Sequence, residues 1–198
     1  MQTRLGLATR PLLDGRALGL KRESAGLIVV GSYVPKTTAQ LNVLLSSGVA
    51  AVEIAVSLLL DDARHAIEIA RARHAVEAHL RAGTDVVVYT SRELVSGVDA
   101  RDSLAIGGRI SSGLVTLLSE LRMRPRYVIA KGGITSSDLA TKALGMRRAW
   151  VLGQLLPGVP VWRGEKDSRY PGMPYVVFPG NVGADDALVN AVNKLAQQ

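Results

Sequence analysis

A buried-strand run that stops at a pair of glycines and gives way to a helix start leaves a chain few folds to adopt. Residues 126–138 read RYVIAKGGITSSD. Tyr127-Val128-Ile129-Ala130 is short, apolar and partly β-branched, which suits a buried strand. Gly132-Gly133 follows, where the backbone can turn sharply and nothing projects from Cα. Thr135, Ser136, Ser137 and Asp138 are residue types that cap helices, and they precede a run of helical character over residues 139–144. Strand, glycine turn and helix start together make a place to hold an anion, with free N–H groups and the positive end of the helix dipole facing it. Lys131 adds a cation that meets phosphate or lies on the surface. A tight turn with an ordinary N-cap has the same pattern, so this stretch alone leaves both readings open.

The pattern recurs along the chain. Leu27-Ile28-Val29-Val30 reads as a buried strand that ends at Gly31-Ser32, and Pro35 then opens a helix with Leu41, Leu44 and Leu45 on its apolar side. A second strand is predicted over residues 49–56, and a long helix from Asp61-Asp62 to about Arg81, striped by Ala66, Ile69, Val76 and Leu80. Residues 85–89 form a third strand that delivers Thr90-Ser91-Arg92 to its end. A helix carrying Ile110, Leu114, Leu117, Leu118 and Leu121 precedes the strand over 127–131. Two extended segments flank Pro157-Gly158, a polar loop covers 163–174, and Tyr175–Phe178 is the last strand. Pro179-Gly180-Asn181-Val182-Gly183 follows, then a terminal helix from Asp185.

Such alternation predicts a three-layer α/β/α domain over residues 27–198 with a mostly parallel sheet, a mixed one also fitting. Residues 1–26 lack periodicity and read as a linker or edge segment.

Composition excludes several classes. The 198 residues are 47% hydrophobic and 21% charged, as befits a folded domain rather than a disordered tail. The sequence has no cysteine, which removes disulfides and thiolate metal sites. The N-terminus lacks the apolar core of a signal peptide and no run is long enough to span a bilayer, so a cytoplasmic protein without membrane contact is expected. A net charge of +7 invites a nucleic-acid reading. The arginines are scattered among acidic residues, however, and aromatics make up only 4%, too few for stacking platforms. No nucleic acid is expected as partner.

Three strands end in small polar or glycine-rich turns: Gly31-Ser32, Lys131-Gly132-Gly133 and the 179–183 loop. In a parallel sheet these ends gather on one edge, where ligands bind in open α/β folds. Three such turns suit a phosphate- and nucleotide-sized cradle, although α/β loops contain glycine in any case. The G-x-x-x-x-G-K-[ST] and G-x-G-x-x-G fingerprints and the G-x-S-x-G nucleophile elbow are absent. His65, His74 and His79 fall on one predicted helix and do not converge as metal ligands. Asp61-Asp62 reads as a helix cap, and Arg92 at a strand end is a candidate anion clamp.

At this point the residues resemble a known family. The segments GSYVPKTTAQL, VVVYTSRELV, RYVIAKGGITSSDLATKALGMRRAWVLGQLLPGVPVW and PYVVFPGNVG resemble the four-carbon acid sugar kinases, which include the threonate, erythronate and 3-oxo-tetronate kinases. Four separated blocks match in order, from about Leu27 onward, and only the C-terminal, nucleotide-binding domain of such kinases is covered. The resemblance implies that ATP, with Mg²⁺, is held by Ser32, by Gly132, Gly133, Ile134 and Thr135, and by Gly180 or Gly183, with Asn181 in the same loop and Lys131 beside the turn. It implies a sugar-acid partner bound through an N-terminal domain, of which residues 1–26 carry no trace, and it allows a homo-oligomer. On this basis the chain alone is expected to be inactive. The alternative is a non-catalytic nucleotide- or anion-binding module.

Overall fold

The computed structural model describes residues 10–21, 24–92, 95 and 97–197. The uninterrupted apolar run Leu27–Val30 forms strand β1, buried at all four positions. Its side chains alternate between two cores: Leu27 and Val29 belong to one, Ile28 and Val30 to the other. A strand covered on both faces must be apolar throughout, which is why β1 carries no polar alternation.

The remaining elements follow in order. Helix α1 spans Pro35–Ser46, with proline in its first turn. Strand β2 spans Ala50–Ile54, α2 Val56–Leu60, α3 His65–Arg81 and β3 Val86–Thr90. Helix α4 runs from Ala100 to Glu120, β4 from Val128 to Lys131 and α5 from Gly133 to Asp138, and a π-helical turn over Leu139–Ala143 continues α5. Strands β5 (Ala149–Leu156), β6 (Val159–Gly164) and β7 (Pro174–Phe178) precede α6 (Ala187–Ala196).

One seven-stranded sheet has the order β2-β3-β1-β4-β7-β6-β5. The first five strands of that order are mutually parallel. β6 pairs antiparallel with β7, and β5 with β6. The sheet is therefore the expected mostly parallel one with an antiparallel hairpin at one edge. Apolar residues of α2, α3 and α4 share a core with Leu27 and Val29, and those of α1 and α6 share the other core with Ile28 and Val30. Helices thus cover both faces, completing three layers.

Several boundaries differ from the sequence reading. The second strand stops at Ile54, where Ser91 takes over the edge: the Ser91 amide donates to the Ile54 carbonyl, and its hydroxyl accepts from the Val56 amide at 3.0 Å. Val56 therefore starts α2 instead of extending the strand. The long helix expected from Asp61-Asp62 begins at His65, because Asp61 folds a turn by accepting from the amides of Ala63 and Arg64. The terminal helix starts at Ala187, two residues later than expected.

In the 1–26 segment, the amide of Leu13 donates to the Gln154 carbonyl of β5, and that of Gly15 to the Lys194 carbonyl of α6. Residues 1–9, 22 and 23 of that segment lie outside the described residues.

Candidate functional site

The parallel strands β1, β4 and β7 are neighbours, so their carboxyl ends lie side by side. Above them opens a cleft of about 730 Å³, within the size range of small-molecule and cofactor sites. Its floor is made by Gly31, Ser32, Tyr33 and Val34 after β1, by Gly132 to Thr135 after β4, and by Gly180 and Asn181 after β7. Helix α4 closes the far side with Ser103, Leu104, Gly107, Gly108 and Ser111. A groove of about 610 Å³ borders residues 163–172. It belongs to the opposite edge, since Arg163 pairs with Pro174 at the start of β7.

Glycine is required where the turns meet. A Cβ on Gly31 would stand 2.6 Å from Thr135 Oγ1 and 2.7 Å from Leu114 Cδ1. Gly132 adopts φ +118°, and a Cβ there would lie 2.8 Å from the Ser32 Cβ. The Gly132 amide is held by the Phe178 carbonyl at 2.8 Å, which ties the β4 turn to the end of β7. Gly132 is thus the N-cap of α5, and the helix begins at Gly133. Thr135, Ser136, Ser137 and Asp138 lie inside the helix rather than capping it, because the glycine turns the chain three residues earlier than the capping types suggest. Ser136 donates its hydroxyl to the Ala130 carbonyl at 2.7 Å, locking helix to strand. The amides of Gly133, Ile134 and Thr135 head the helix, where no intrahelical acceptor exists for them. Gly133 is exposed, and a Cβ there would meet nothing within 4 Å.

Of the residues singled out from sequence, Ser32, Gly132, Gly133, Ile134, Thr135, Gly180 and Asn181 line this one cleft. Gly183 and Lys131 do not. Gly183 borders a smaller cavity with Val182 and Ala187. Lys131 is fully buried, and its Nζ donates to the carbonyls of Pro179 and Gly180 at 2.7 and 3.1 Å. Burial, with Lys36 adding a like charge, pulls its pKa down to about 8. Arg92 also lies outside the lining. It donates to the Thr90 and Ser32 carbonyls and stacks over Tyr33 at 5.2 Å, joining the ends of β3 and β1.

Two further contributions line the cleft, one that the sequence did not disclose and one, Asp138, that it placed near the glycine turns as a helix-capping residue. One is the α4 wall, whose signal was Gly107-Gly108 in a helix interior, a placement that costs about 1 kcal/mol per glycine relative to alanine. A Cβ at either would meet nothing within 4 Å, so packing does not demand them. The other is Asp138, which lines the cleft at the end of α5. It accepts from Ser111 Oγ at 2.5 Å and pairs with Lys142 at 2.8 Å, and these bonds hold its pKa below the usual carboxylate value.

A mostly parallel sheet with glycine turns around a cleft at its carboxyl strand ends defines an open α/β domain of the kind that takes ligands at that edge. Residues 27–188 match the family described as the nucleotide-binding C-terminal domain. The chain belongs to that family, and the resemblance to the C-terminal domain of the four-carbon acid sugar kinases is borne out.

Solved structures that share the fold include two from the DUF1537 group. One is a domain of unknown function (DUF1537) from Bordetella bronchiseptica, a domain-swapped dimer with bound citrate, at 21% identity and a TM-score of 0.69 over 87% of this chain and 41% of that one. The other is a DUF1537 protein from Haemophilus influenzae, at 19% identity and a TM-score of 0.67 over 86% and 40%. The chain thus spans about two fifths of these proteins. No curated protein matches it. Among the described residues no helix is long and apolar enough to cross a membrane.

Proposed function

We propose that this domain holds ATP for a kinase that phosphorylates a four-carbon acid sugar of the threonate, erythronate or 3-oxo-tetronate type. The observation that carries the proposal is the convergence of three glycine-bearing strand ends on one cleft of about 730 Å³. The first-turn amides at Gly133–Thr135 supply donors for phosphate oxygens, and Ser32, Gly180 and Asn181 border the same space. The α4 wall is largely glycine and apolar side chains, suited to the flat, weakly polar face of a base.

The fit to Mg²⁺ is narrower. Asp138 is the one carboxylate among the described lining residues, and it is engaged by Ser111 and Lys142. The ion would therefore be held mainly by the phosphates and water, as is usual for nucleotide-bound magnesium. Bound there it would neutralise charge on the phosphates, while the protein's share would be positioning. The acceptor sugar acid belongs to another domain in this reading.

Gly133→Val tests the nucleotide site directly. The fold has room for the new side chain, so the variant is expected to keep its circular-dichroism melt and lose measurable ATP binding by calorimetry, because the isopropyl group stands over the helix-heading amides. Unchanged affinity in the folded variant would refute the assignment. A second reading, a nucleotide-sensing module without turnover, draws on the engaged state of Asp138. Saturable ATP binding with no phosphorylated sugar acid, even with an N-terminal domain of a related kinase supplied, would favour it.

A further inference from the structure

The loop after β7 is fastened from beneath by three side chains that have no exposed surface: Lys131, Thr37 and Gln40. Lys131 Nζ donates to the carbonyls of Pro179 and Gly180, and Thr37 Oγ1 donates to Gly180 at 3.2 Å. Gln40 Nε2 donates to the carbonyls of Val182 at 2.9 Å, Gly183 at 3.4 Å and Ala184 at 2.8 Å. Five consecutive or near-consecutive carbonyls therefore point into the protein. In a trans peptide the carbonyl of one residue and the amide of the next point in opposite directions. Turning the carbonyls of Pro179 and Gly180 inward turns the amides of Gly180 and Asn181 outward, and those two residues line the cleft. Neither amide has an acceptor among the described residues.

Lys131 is also out of place as a packing residue. An ammonium with no exposed surface is costly, and among the described residues no carboxylate pairs with it. What compensates it is the pair of loop carbonyls and the face of Phe178, 4.2 Å from Nζ. An apolar side chain of similar length would fill this space at lower cost but could not hold the two loop carbonyls.

We infer that Lys131 and Gln40 are positioning residues of the nucleotide site, which hold the loop carbonyls inward and so present the amides of Gly180 and Asn181 to the phosphate chain. This rests on the nucleotide reading above. Neither side chain touches the cleft, and both act through the loop.

Gln40→Met keeps side-chain length, Lys131→Met shortens it by one atom, and both remove the donors. Calorimetric titration of wild type and both variants with ATP and with adenosine is the test, beside a urea melt of each. We expect each variant to bind ATP about tenfold more weakly, a loss comparable to that of a charge-assisted hydrogen bond, with adenosine changed by less than about twofold. A role in stability alone would lower both affinities together, and equal losses would overturn the inference. Weak ATP binding in K131M with unchanged binding in Q40M would make Lys131 a direct charge partner of phosphate and overturn it as well. If K131M does not fold, Q40M carries the test, because Gln40 bonds only to the loop. Wild type that binds no ATP would instead bring down the nucleotide reading itself, an outcome visible before any variant is measured.

Discussion

Lys131 shows what one side chain can report about this fold. Its pKa in the folded state, about 8, lies below the ordinary lysine value of 10.5. A lowered lysine pKa means that the unfolded chain binds more protons than the folded one between those two values, so stability rises with pH across that window. Below about pH 8 both states are protonated and the full cost of burying the charge is present. We therefore expect the stability of wild type, relative to Lys131→Met, to increase by roughly 1–2 kcal/mol between pH 7 and pH 9.5 in urea titrations. A flat difference would place the titration elsewhere. The sequence did not disclose this role. A lysine directly after a strand and before two glycines reads as a phosphate ligand or a surface cation. The carbonyls that occupy it lie 48 and 49 residues away and meet it only once β4 and β7 are neighbours. Gly132 was the easier residue to read, since a sharp turn after a strand requires the positive φ that glycine supplies.

At the scale of elements, what was legible followed from burial. β1, β4 and β7 are short and mostly apolar, β4 alone closing on a lysine, and each gives way to glycine or proline-glycine; in a sheet covered on both faces such runs have no other place to go. The break between β2 and α2 was not legible, because Val56, Leu58, Leu59 and Leu60 continue the apolar stretch and only tertiary contacts with Ser91 set where the strand ends. Nor was α4 as a wall of the site, since its strong apolar stripe faces the core and drew attention from the glycines preceding it. Those glycines give a test that separates stability from function. Gly108→Ala places a methyl group where nothing lies within 4 Å, so it should raise helix stability by about 0.5–1 kcal/mol, seen as a higher Tm. Because Gly108 also borders the cleft, we expect adenosine and ATP to lose affinity together, by severalfold. A gain in stability with both affinities intact would remove α4 from the nucleoside contact.

At the scale of the whole molecule the cleft supplies positioning groups but little acid–base chemistry. Transfer to a hydroxyl calls for a base within hydrogen-bond reach of it. His65, His74 and His79 all lie on α3, and none lines the cleft. His65 Nδ1 is engaged instead at 2.7 Å by the Leu59 carbonyl. Asp138 is the one candidate among the described lining residues, and the bonds from Ser111 and Lys142 that lower its pKa also make it a weaker base and occupy both its oxygens. Arg92 and Lys131, at the ends of β3 and β4, are spent on backbone carbonyls. The expected outcome is that this chain alone binds ATP and releases at most slowly formed ADP, with no phosphorylated threonate, erythronate or 3-oxo-tetronate when these are supplied with Mg²⁺. Separately expressed N-terminal domain from a related kinase, added in trans, is expected to restore product if it brings the base and the acceptor site to the exposed mouth of the cleft, where Ile134 and Leu104 are 74% and 76% accessible. Product formed by this chain alone would instead assign the base to Asp138, and Asp138→Asn should then abolish turnover while sparing ATP affinity, an outcome that mass spectrometry of the reaction mixture and calorimetry of the variant would decide between them.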